Sequence, residues 1–204
     1  MSMEQSTEQE SNVGTGQERR AAPQRKDRRG LTLASVLGVM VLLTILRLWP
    51  LYTASRNIAG VETFSGLARD HQSGAITYSQ VPPVGGVHSP TWQNCGIYDQ
   101  PIANENAVHS LEHGAVWITY QPNLSPTDIQ QLRRLVQGRN YALLSPYPDL
   151  PAPVIATGWG VQLQVDNAND LRLEKFLGRY MQGPQTPEPG ALCSGGGTGI
   201  PASR

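Results

Sequence analysis

The chain has 204 residues, 16 basic and 16 acidic side chains, and a formal net charge of zero when its four histidines are neutral. Because there is no basic excess, the composition gives no support for a nucleic-acid partner. No Gly-Lys-Ser/Thr sequence follows Gly85-Gly86, so no nucleotide-binding loop is predicted either.

The amino-terminal region predicts a tail followed by a membrane span. Residues 1–30 carry clustered arginines and almost no large apolar side chain, so we expect a disordered basic tail. Residues 31–49 form an apolar run, and a helix of about 20 residues crosses the roughly 30 Å hydrocarbon core of a bilayer. The positive-inside rule then places the tail in the cytoplasm and the residues after the span outside it.

The protein is therefore expected in the cell membrane as a single-pass protein that contacts the lipid bilayer through residues 31–49. A cleaved secretory signal has the same order of charges, and Thr53-Ala54-Ser55 provides a small-residue cleavage site, so this alternative remains open. Under both interpretations the folded part lies outside the cytoplasm. Cys95 and Cys193 agree with an oxidising compartment, which favours a disulfide over two free thiols.

The rest of the chain predicts a single extracytoplasmic α+β domain over residues 61–193. Residues 50–60 would be the linker before it. Residues 194–204, at the end of a Pro- and Gly-rich segment, would be a disordered tail. We expect a mixed or antiparallel sheet with two main packing helices.

Apolar periodicity and Gly/Pro punctuation predict the elements of this domain. The strongest helix follows Ser125, which can act as its N-cap, with Pro126 at the first helical position. In chain order we expect a strand at 75–78, an irregular segment at 81–101, a helix at 104–113, a central strand at 115–120, a helix at 125–136, a strand at 141–144, a hairpin with arms at 154–156 and 161–165, and a helix at 169–181.

The densest chemistry lies in the five residues 109–113, which contain two histidines and a glutamate. On a helix His109 and His113 are four residues apart, so they share one face and can chelate one ion. His88 can add a third nitrogen from the Gly/Pro-rich segment upstream, and Glu112 can ligate the ion or orient an imidazole. These are ligands of Zn²⁺ and Cu²⁺, so a site for a transition metal, Cu or Zn, is predicted.

The roles of two further residues are predicted from their separation in the sequence from His109, Glu112 and His113. Glu105, one helical turn before His109, is a reserve ligand. His71, next to Asp70, is expected to be a separate surface residue.

Three other interpretations of the cluster remain open. The histidines can be structural hydrogen-bonding groups at a helix end, in a non-enzymatic envelope scaffold that binds an envelope protein through its Pro- and aromatic-rich loop. His113 and Glu112 can perform metal-free acid–base chemistry. The spacing His109-x-x-Glu112-His113 also matches the inverted zinc-peptidase signature, with Glu188 as a downstream carboxylate, which would make the domain a metal-dependent hydrolase.

The motifs taken together resemble one bacterial family. The residues that carry the resemblance are Tyr78-x3-Pro82-Pro83-x2-Gly86-x-His88-x3-Trp92-x3-Gly96-x-Tyr98-x2-Pro101 and Glu105-x2-Val108-His109-Ser110-Leu111-Glu112-His113-Gly114-x-Val116. They are similar to the family named domain of unknown function 3105, over roughly residues 62–193. The resemblance implies an amino-terminal membrane anchor, an extracytoplasmic domain, and one site that contains His88, His109, Glu112 and His113.

Overall fold

The computed structural model describes residues 35–47 and 57–203. The chain divides into two compact units, residues 1–50 and residues 51–204, and each described range belongs to one of them.

The described part of the first unit is a helix, α1, at residues 35–47. Its apolar side chains, such as Val39 and Leu43, are exposed. Within the described ranges, no helix combines the length and the apolar character needed to span a bilayer. The predicted tail at 1–30, both ends of the predicted span at 31–49, and most of the predicted linker lie outside the described residues.

The second unit is an α+β domain built on one six-stranded mixed sheet. Its strands are β1 (Val61–Thr63), β2 (Gly96–Ile97), β3 (Val116–Tyr120), β4 (Ala142–Pro146), β5 (Val154–Gly158) and β6 (Val161–Val165), and its helices are α2 (Asn104–Glu112), α3 (Pro126–Val136) and α4 (Leu171–Tyr180). The strand order is β1-β6-β5-β3-β4-β2. β4 runs parallel to β2 and β3, and the other neighbouring pairs are antiparallel. The predicted α+β class with a mixed sheet is confirmed.

Helices cover both faces of this sheet. α3 and α4 pack on one face through Leu132, Phe176 and their apolar neighbours, and α2 packs on the other through Leu111. Successive side chains of a strand point to opposite faces, so in β3 Ile118 joins the first core and Trp117 the second. β3 is therefore buried on both sides, as its uninterrupted apolar run predicts.

The elements with a clear local pattern form where the sequence predicts them. Ser125 Oγ accepts a hydrogen bond from the backbone N–H of Asp128 at 3.1 Å, and Pro126 is the first residue of α3. The predicted hairpin corresponds to β5 and β6, which pair Gly158 with Val161 next to the turn. The predicted last helix corresponds to α4.

The short elements differ from the prediction. Residues 75–78 do not form the predicted strand. The backbone N–H of Ile76 donates to Glu105 Oε1 instead, and the Tyr78 hydroxyl donates to the carbonyl of Val87. β1 and β2 were not predicted, because strands of three and two residues are too short to show a period, and the sheet edges they pair with are not visible in the sequence.

The carboxyl-terminal residues 194–203, expected to be a disordered tail, lie along β2. The backbone N–H of Ile97 donates to the carbonyl of Ser203 at 2.8 Å, and Thr198 forms a β-bridge with Gln93. The free edge of β2 thus supplies hydrogen-bond partners to this segment. The composition of the segment alone predicts no regular structure.

A cysteine pair connects this tail to the sheet. Cys95 and Cys193 lie at disulfide distance, with their Cα atoms 5.3 Å apart, and 98 positions separate them in the sequence. Closing a loop of about 100 residues stabilises the folded state by about 4–5 kcal/mol in the chain-entropy treatment.

A charged cap begins α4. Asp170 accepts a hydrogen bond from the backbone N–H of Arg172 at 2.8 Å, and both its carboxylate oxygens accept from the Arg172 guanidinium. The guanidinium also donates to the carbonyl of Ala59, next to β1. The side-chain hydrogen bonds from Arg172 are the main reason why the pKa of Asp170 is lowered.

We predict that Asp170→Ala lowers the free energy of unfolding by about 1 kcal/mol at neutral pH, because the cap of α4 is lost. Asp170→Asn keeps a capping oxygen and should lose less. Since the folded pKa is lowered, the carboxylate stabilises the protein above about pH 4, and its contribution disappears as the pH falls through the folded value. Urea unfolding of the full-length chain, followed by tryptophan fluorescence, measures these differences.

Lys175→Ala, at an exposed position of the same helix, is the control and should change the free energy of unfolding by less than about 0.5 kcal/mol. An Asp170→Ala variant as stable as the unmodified protein at neutral pH contradicts the assigned cap.

Candidate metal centre

All four histidines of the chain lie in one cluster beside α2. The ring centroids of His71 and His88 are 4.7 Å apart, those of His88 and His109 are 4.9 Å apart, and those of His109 and His113 are 4.5 Å apart. The structure thus brings His88 to the pair on α2, as predicted. His71 is exposed, as expected, but the expectation that it is separate from the cluster is wrong, because a short β-bridge joins its backbone to that of His88.

The end of α2 places three of the side chains. His109 and Glu112 lie in its last turn and His113 is its C-cap, so their spacing puts them on one side of the helix. All three are buried. Gly114 follows with a φ of 92°, and a Cβ at this position would collide with the side chain of Gln182. Glycine therefore allows the helix to end directly after its last ligand candidate.

A loop carries His88 to the helix. The Tyr78 hydroxyl donates to the carbonyl of Val87 at 2.9 Å and fixes the backbone next to His88. Gly85 has a φ of 144°, and a Cβ there would be 3.3 Å from the ring of Trp159. The Trp159 ring in turn meets the His88 ring edge to face, with centroids 5.8 Å apart. The close packing of this loop leaves His88 no exposed surface.

The three buried histidines share one hydrogen-bonding pattern. In each of them Nδ1 lies next to a backbone carbonyl oxygen, the pairs being His88 with Gly86 (2.7 Å), His109 with Ser89 (2.6 Å) and His113 with Leu192 (2.7 Å). A carbonyl oxygen can only accept, so each Nδ1 carries the hydrogen. In a neutral imidazole the other nitrogen, Nε2, then has a free lone pair.

These Nε2 atoms face acceptors and not donors. His109 Nε2 lies 2.9 Å from His113 Nε2, and His88 Nε2 lies 2.9 Å from Oε2 of Glu112. If the imidazoles are neutral and the carboxylate is ionised, neither contact contains a hydrogen atom to share. Each contact then requires one positive charge, from a proton or from a metal ion. Two such charges equal the charge of one Zn²⁺ or Cu²⁺ ion.

The segment after α4 closes the cluster. The backbone N–H of Glu188 donates to the carbonyl of Glu112 at 3.1 Å, and Oε2 of Glu188 lies 3.6 Å from His113 Nε2. The side chain of Gln182 donates to the carbonyl of His113 and accepts from the backbone N–H of Gly190. The sequence identified Glu188 only as the downstream carboxylate of the peptidase signature, because its Pro/Gly-rich surroundings show no periodicity.

Four ligand candidates lie close enough to surround one ion. They are His71, His88, His109 and Glu112, whose ligand atoms all lie within 4.8 Å of one another. The predicted reserve ligand Glu105 lies outside this group and accepts a hydrogen bond from the backbone N–H of Ile76 at 2.8 Å. The rarity of histidine in the chain was the only sequence signal that could have included His71.

Burial controls the protonation of the central imidazole. It lowers the pKa of His109 to about 4; the hydrogen bond to the carbonyl of Ser89 opposes the shift, and the neighbouring imidazoles of His113, His88 and His71 add to it. His109 is therefore neutral at physiological pH, which is the form that binds a metal.

Trp92 lies over the other side of the pair on α2. Its ring centroid is 5.3 Å from that of His113 and 6.0 Å from that of His109. Its Nε1 is buried and has no hydrogen-bond partner within the part of the chain that the structure describes. The indole thus shields the two imidazoles from water and strengthens electrostatic interactions between them.

The family model described as "Protein of unknown function (DUF3105)" matches residues 70–195. The chain belongs to this family. The matched DUF3105 region contains all four histidines, Glu112, Glu188 and both cysteines, so the whole cluster lies inside the family domain. The predicted membrane span lies outside the matched residues. No curated protein and no solved structure matches the chain.

We predict that the imidazole of His109 titrates near pH 4 in the metal-free protein, well below the usual value of about 6.5. NMR of the full-length chain, labelled with ¹⁵N in its histidines and treated with a chelator, measures the midpoint, and His109→Asn identifies the signal. The unfolded chain takes up this proton at higher pH than the folded chain does. The contribution of His109 to stability should therefore fall as the pH decreases from about 6.5 to about 4. A midpoint near the usual value contradicts this account of the site.

Proposed function

We propose that the DUF3105 domain binds a transition metal, Cu²⁺ or Zn²⁺, with His88, His109, His113 and Glu112 as ligands and His71 as an additional one. The observation that carries the proposal is the pair of 2.9 Å contacts inside the cluster, which bring acceptor against acceptor when the imidazoles are neutral and Glu112 is ionised. A divalent cation supplies the positive charge that both contacts require. Neutral imidazoles and a carboxylate are also the ligand types that these two metals prefer among nitrogen and oxygen donors.

The distances support this assignment. Zn–N bonds are about 2.0–2.1 Å long, so two of them separate their nitrogen atoms by about 2.9 Å at a right angle and by about 3.4 Å at the tetrahedral angle. The contact of 2.9 Å between His109 and His113 therefore needs only small side-chain rotations to admit an ion. Among the described residues no free cysteine is available as a thiolate ligand, which favours a nitrogen and oxygen site.

The scaffold alternative accounts for the Nδ1 hydrogen bonds without any bound ion, but not for the Nε2 contacts of neutral imidazoles. A structural histidine uses Nδ1 to anchor its ring to the backbone, and the three buried histidines do so. For the Nε2 contacts this alternative needs two protons, one that lets His88 donate to Glu112 and one that His109 and His113 share. Metal ligands combine both features, because a ligating imidazole commonly donates its second N–H to a carbonyl that fixes the ring.

Metal-dependent hydrolysis is the second candidate function, and the exposure of His71 favours it. The His71 side chain is 45% exposed, whereas that of Glu112, whose Oε2 lies 3.9 Å from His71 Nε2, is 2% exposed. A ligand at the surface gives water or a substrate access to the ion. Such an open coordination position distinguishes catalytic zinc sites from closed structural ones.

We also propose that residues 31–49 anchor the protein in the cell membrane, with the amino terminus in the cytoplasm and the DUF3105 domain outside it. The apolar run with basic residues before it supports this orientation. A cysteine pair at disulfide distance also fits an extracytoplasmic domain, because disulfides persist in oxidising compartments.

We expect the purified full-length chain to bind Zn²⁺ or Cu²⁺. His88→Ala and Glu112→Gln should each weaken metal binding by more than about 10–100-fold, because a loss of about 10–100-fold is typical of residues that only orient a ligand. Elemental analysis of the protein as purified, followed by titration after chelator treatment, measures both stoichiometry and affinity.

Glu105→Gln is the matched control for this experiment. It removes a carboxylate from the same helix but keeps an oxygen that can accept from Ile76, so metal affinity should not change. The absence of bound metal in the unmodified chain, or variants that bind as tightly as it does, would refute the proposal.

The anchor is tested separately. We expect the full-length chain to stay in the membrane pellet during alkaline carbonate extraction and to keep its full mass. Val39→Arg combined with Leu43→Arg should release it, because charges at the centre of a span cost about 2.5–3.5 kcal/mol each. A mature protein that begins near Ser55 would instead establish a cleaved signal.

A further inference from the structure

We propose that the histidine cluster holds two divalent cations, and that His109, His113 and Glu188 form the second position. The inference rests on the proposed function, because it divides the same group of ligands between two ions. The first position then consists of His71, His88 and Glu112.

The four ligand candidates that lie close enough to surround one ion do not include His113. Two ligands on opposite sides of one zinc ion are at most about 4.4 Å apart, because each bond is about 2.0–2.2 Å long. The ligand atoms of His71, His88, His109 and Glu112 lie within 4.8 Å of one another, close to this limit, whereas His113 does not belong to the group. A single ion bound at His71 therefore leaves His113 without a role as a ligand.

His113 nevertheless has the geometry of a ligand. Its Nδ1 donates to the carbonyl of Leu192, and its Nε2 lies 2.9 Å from His109 Nε2. The Nε2 lone pair of an imidazole binds one ion, so His109 serves either the group around His88 or the position beside His113. The short contact between His109 and His113 favours the second choice.

Glu188 supplies this second position with a carboxylate. Its Oε2 lies 3.6 Å from His113 Nε2, and its backbone N–H donates to the carbonyl of Glu112 at 3.1 Å. This hydrogen bond holds residue 188 at the end of α2 although 54% of its side chain is exposed. An exposed carboxylate next to the buried imidazole of His113 gives a cation a path from solvent to the site.

Each position then has the same composition, two neutral imidazoles and one carboxylate, as in zinc sites that keep a place for water. The two acceptor–acceptor contacts separate in the same way: the contact between His88 and Glu112 belongs to the first position, and that between His109 and His113 to the second. Glu112 links the two, because its carboxylate serves the first and its backbone carbonyl anchors Glu188.

A titration with Co²⁺ tests the proposal. We expect the chelator-treated full-length chain to bind two equivalents of Co²⁺. The d–d absorption of the ion and equilibrium dialysis measure this binding. His113→Ala and Glu188→Gln should each retain one equivalent at unchanged affinity and weaken the second by at least about 10-fold, the lower limit for perturbing a metal site. Glu62→Gln, which changes an exposed carboxylate on β1, is the matched control and should retain both.

The number of equivalents distinguishes the two proposals. An unmodified chain that binds no Co²⁺, Zn²⁺ or Cu²⁺ overturns the proposed function and this inference together. A chain that binds one equivalent overturns the second position and leaves the proposed function standing. Two equivalents in the unmodified chain that both persist at unchanged affinity in His113→Ala and Glu188→Gln place the second ion elsewhere and overturn the assignment.

A measurement on the unmodified protein guards against a variant that fails to fold. We expect the chain loaded with two equivalents of Cu²⁺ to show magnetic coupling between the ions in its EPR spectrum, because they lie in one cluster. The coupling should be absent in Glu188→Gln, whose exposed side chain can change without disturbing the core. Two uncoupled Cu²⁺ spectra in the unmodified chain contradict a shared centre.

Discussion

The candidate centre depends on three hydrogen bonds from imidazole Nδ1 atoms to backbone carbonyls. Each bond decides which nitrogen of its ring carries the hydrogen, and all three leave the Nε2 lone pair facing another acceptor. Buried polar groups normally meet a partner of opposite kind, since an unsatisfied group costs free energy in a low-dielectric interior. With neutral imidazoles and an ionised Glu112 the cluster departs from this rule at two contacts, each of which needs a proton or a metal ion.

The rest of the domain serves to hold those carbonyls in place. Gly86 and Ser89 belong to the loop that carries His88, whereas Leu192 lies more than 100 residues further along the chain, so no single local element can position all three. α2 brings two of the rings because it packs on the central strand of the sheet, while the loop before His88 is fixed by the packing of Trp159. The tail that contains Leu192 is held by its neighbour Cys193 and by pairing along β2. Glu188 lies four residues before Leu192, so tethering this segment to the sheet also holds the carboxylate that we propose for the second position.

Local sequence rules were sufficient where an element carries its own signals. The capping of α3, the hairpin of β5 and β6, and the two-sided burial of β3 follow from residue period and turn chemistry. They were insufficient where pairing partners decide the structure: residues 75–78 have strand composition but hydrogen-bond to Glu105 and a loop, and residues 194–203 have tail composition but pair with an edge strand. In both cases the backbone found partners that are distant in the sequence.

The sequence by itself determined that His109, Glu112 and His113 share one side of a helix, because the α-helical repeat fixes residues three and four positions apart. It also determined the α+β class, since the periods of the long elements are local properties. Only the tertiary structure decided that His71 and Glu188 join the cluster, because the first arrives through a β-bridge and the second through a hydrogen bond to the end of α2. Such contacts form between segments that are distant in the sequence, and neither composition nor periodicity predicts which distant segments lie next to each other.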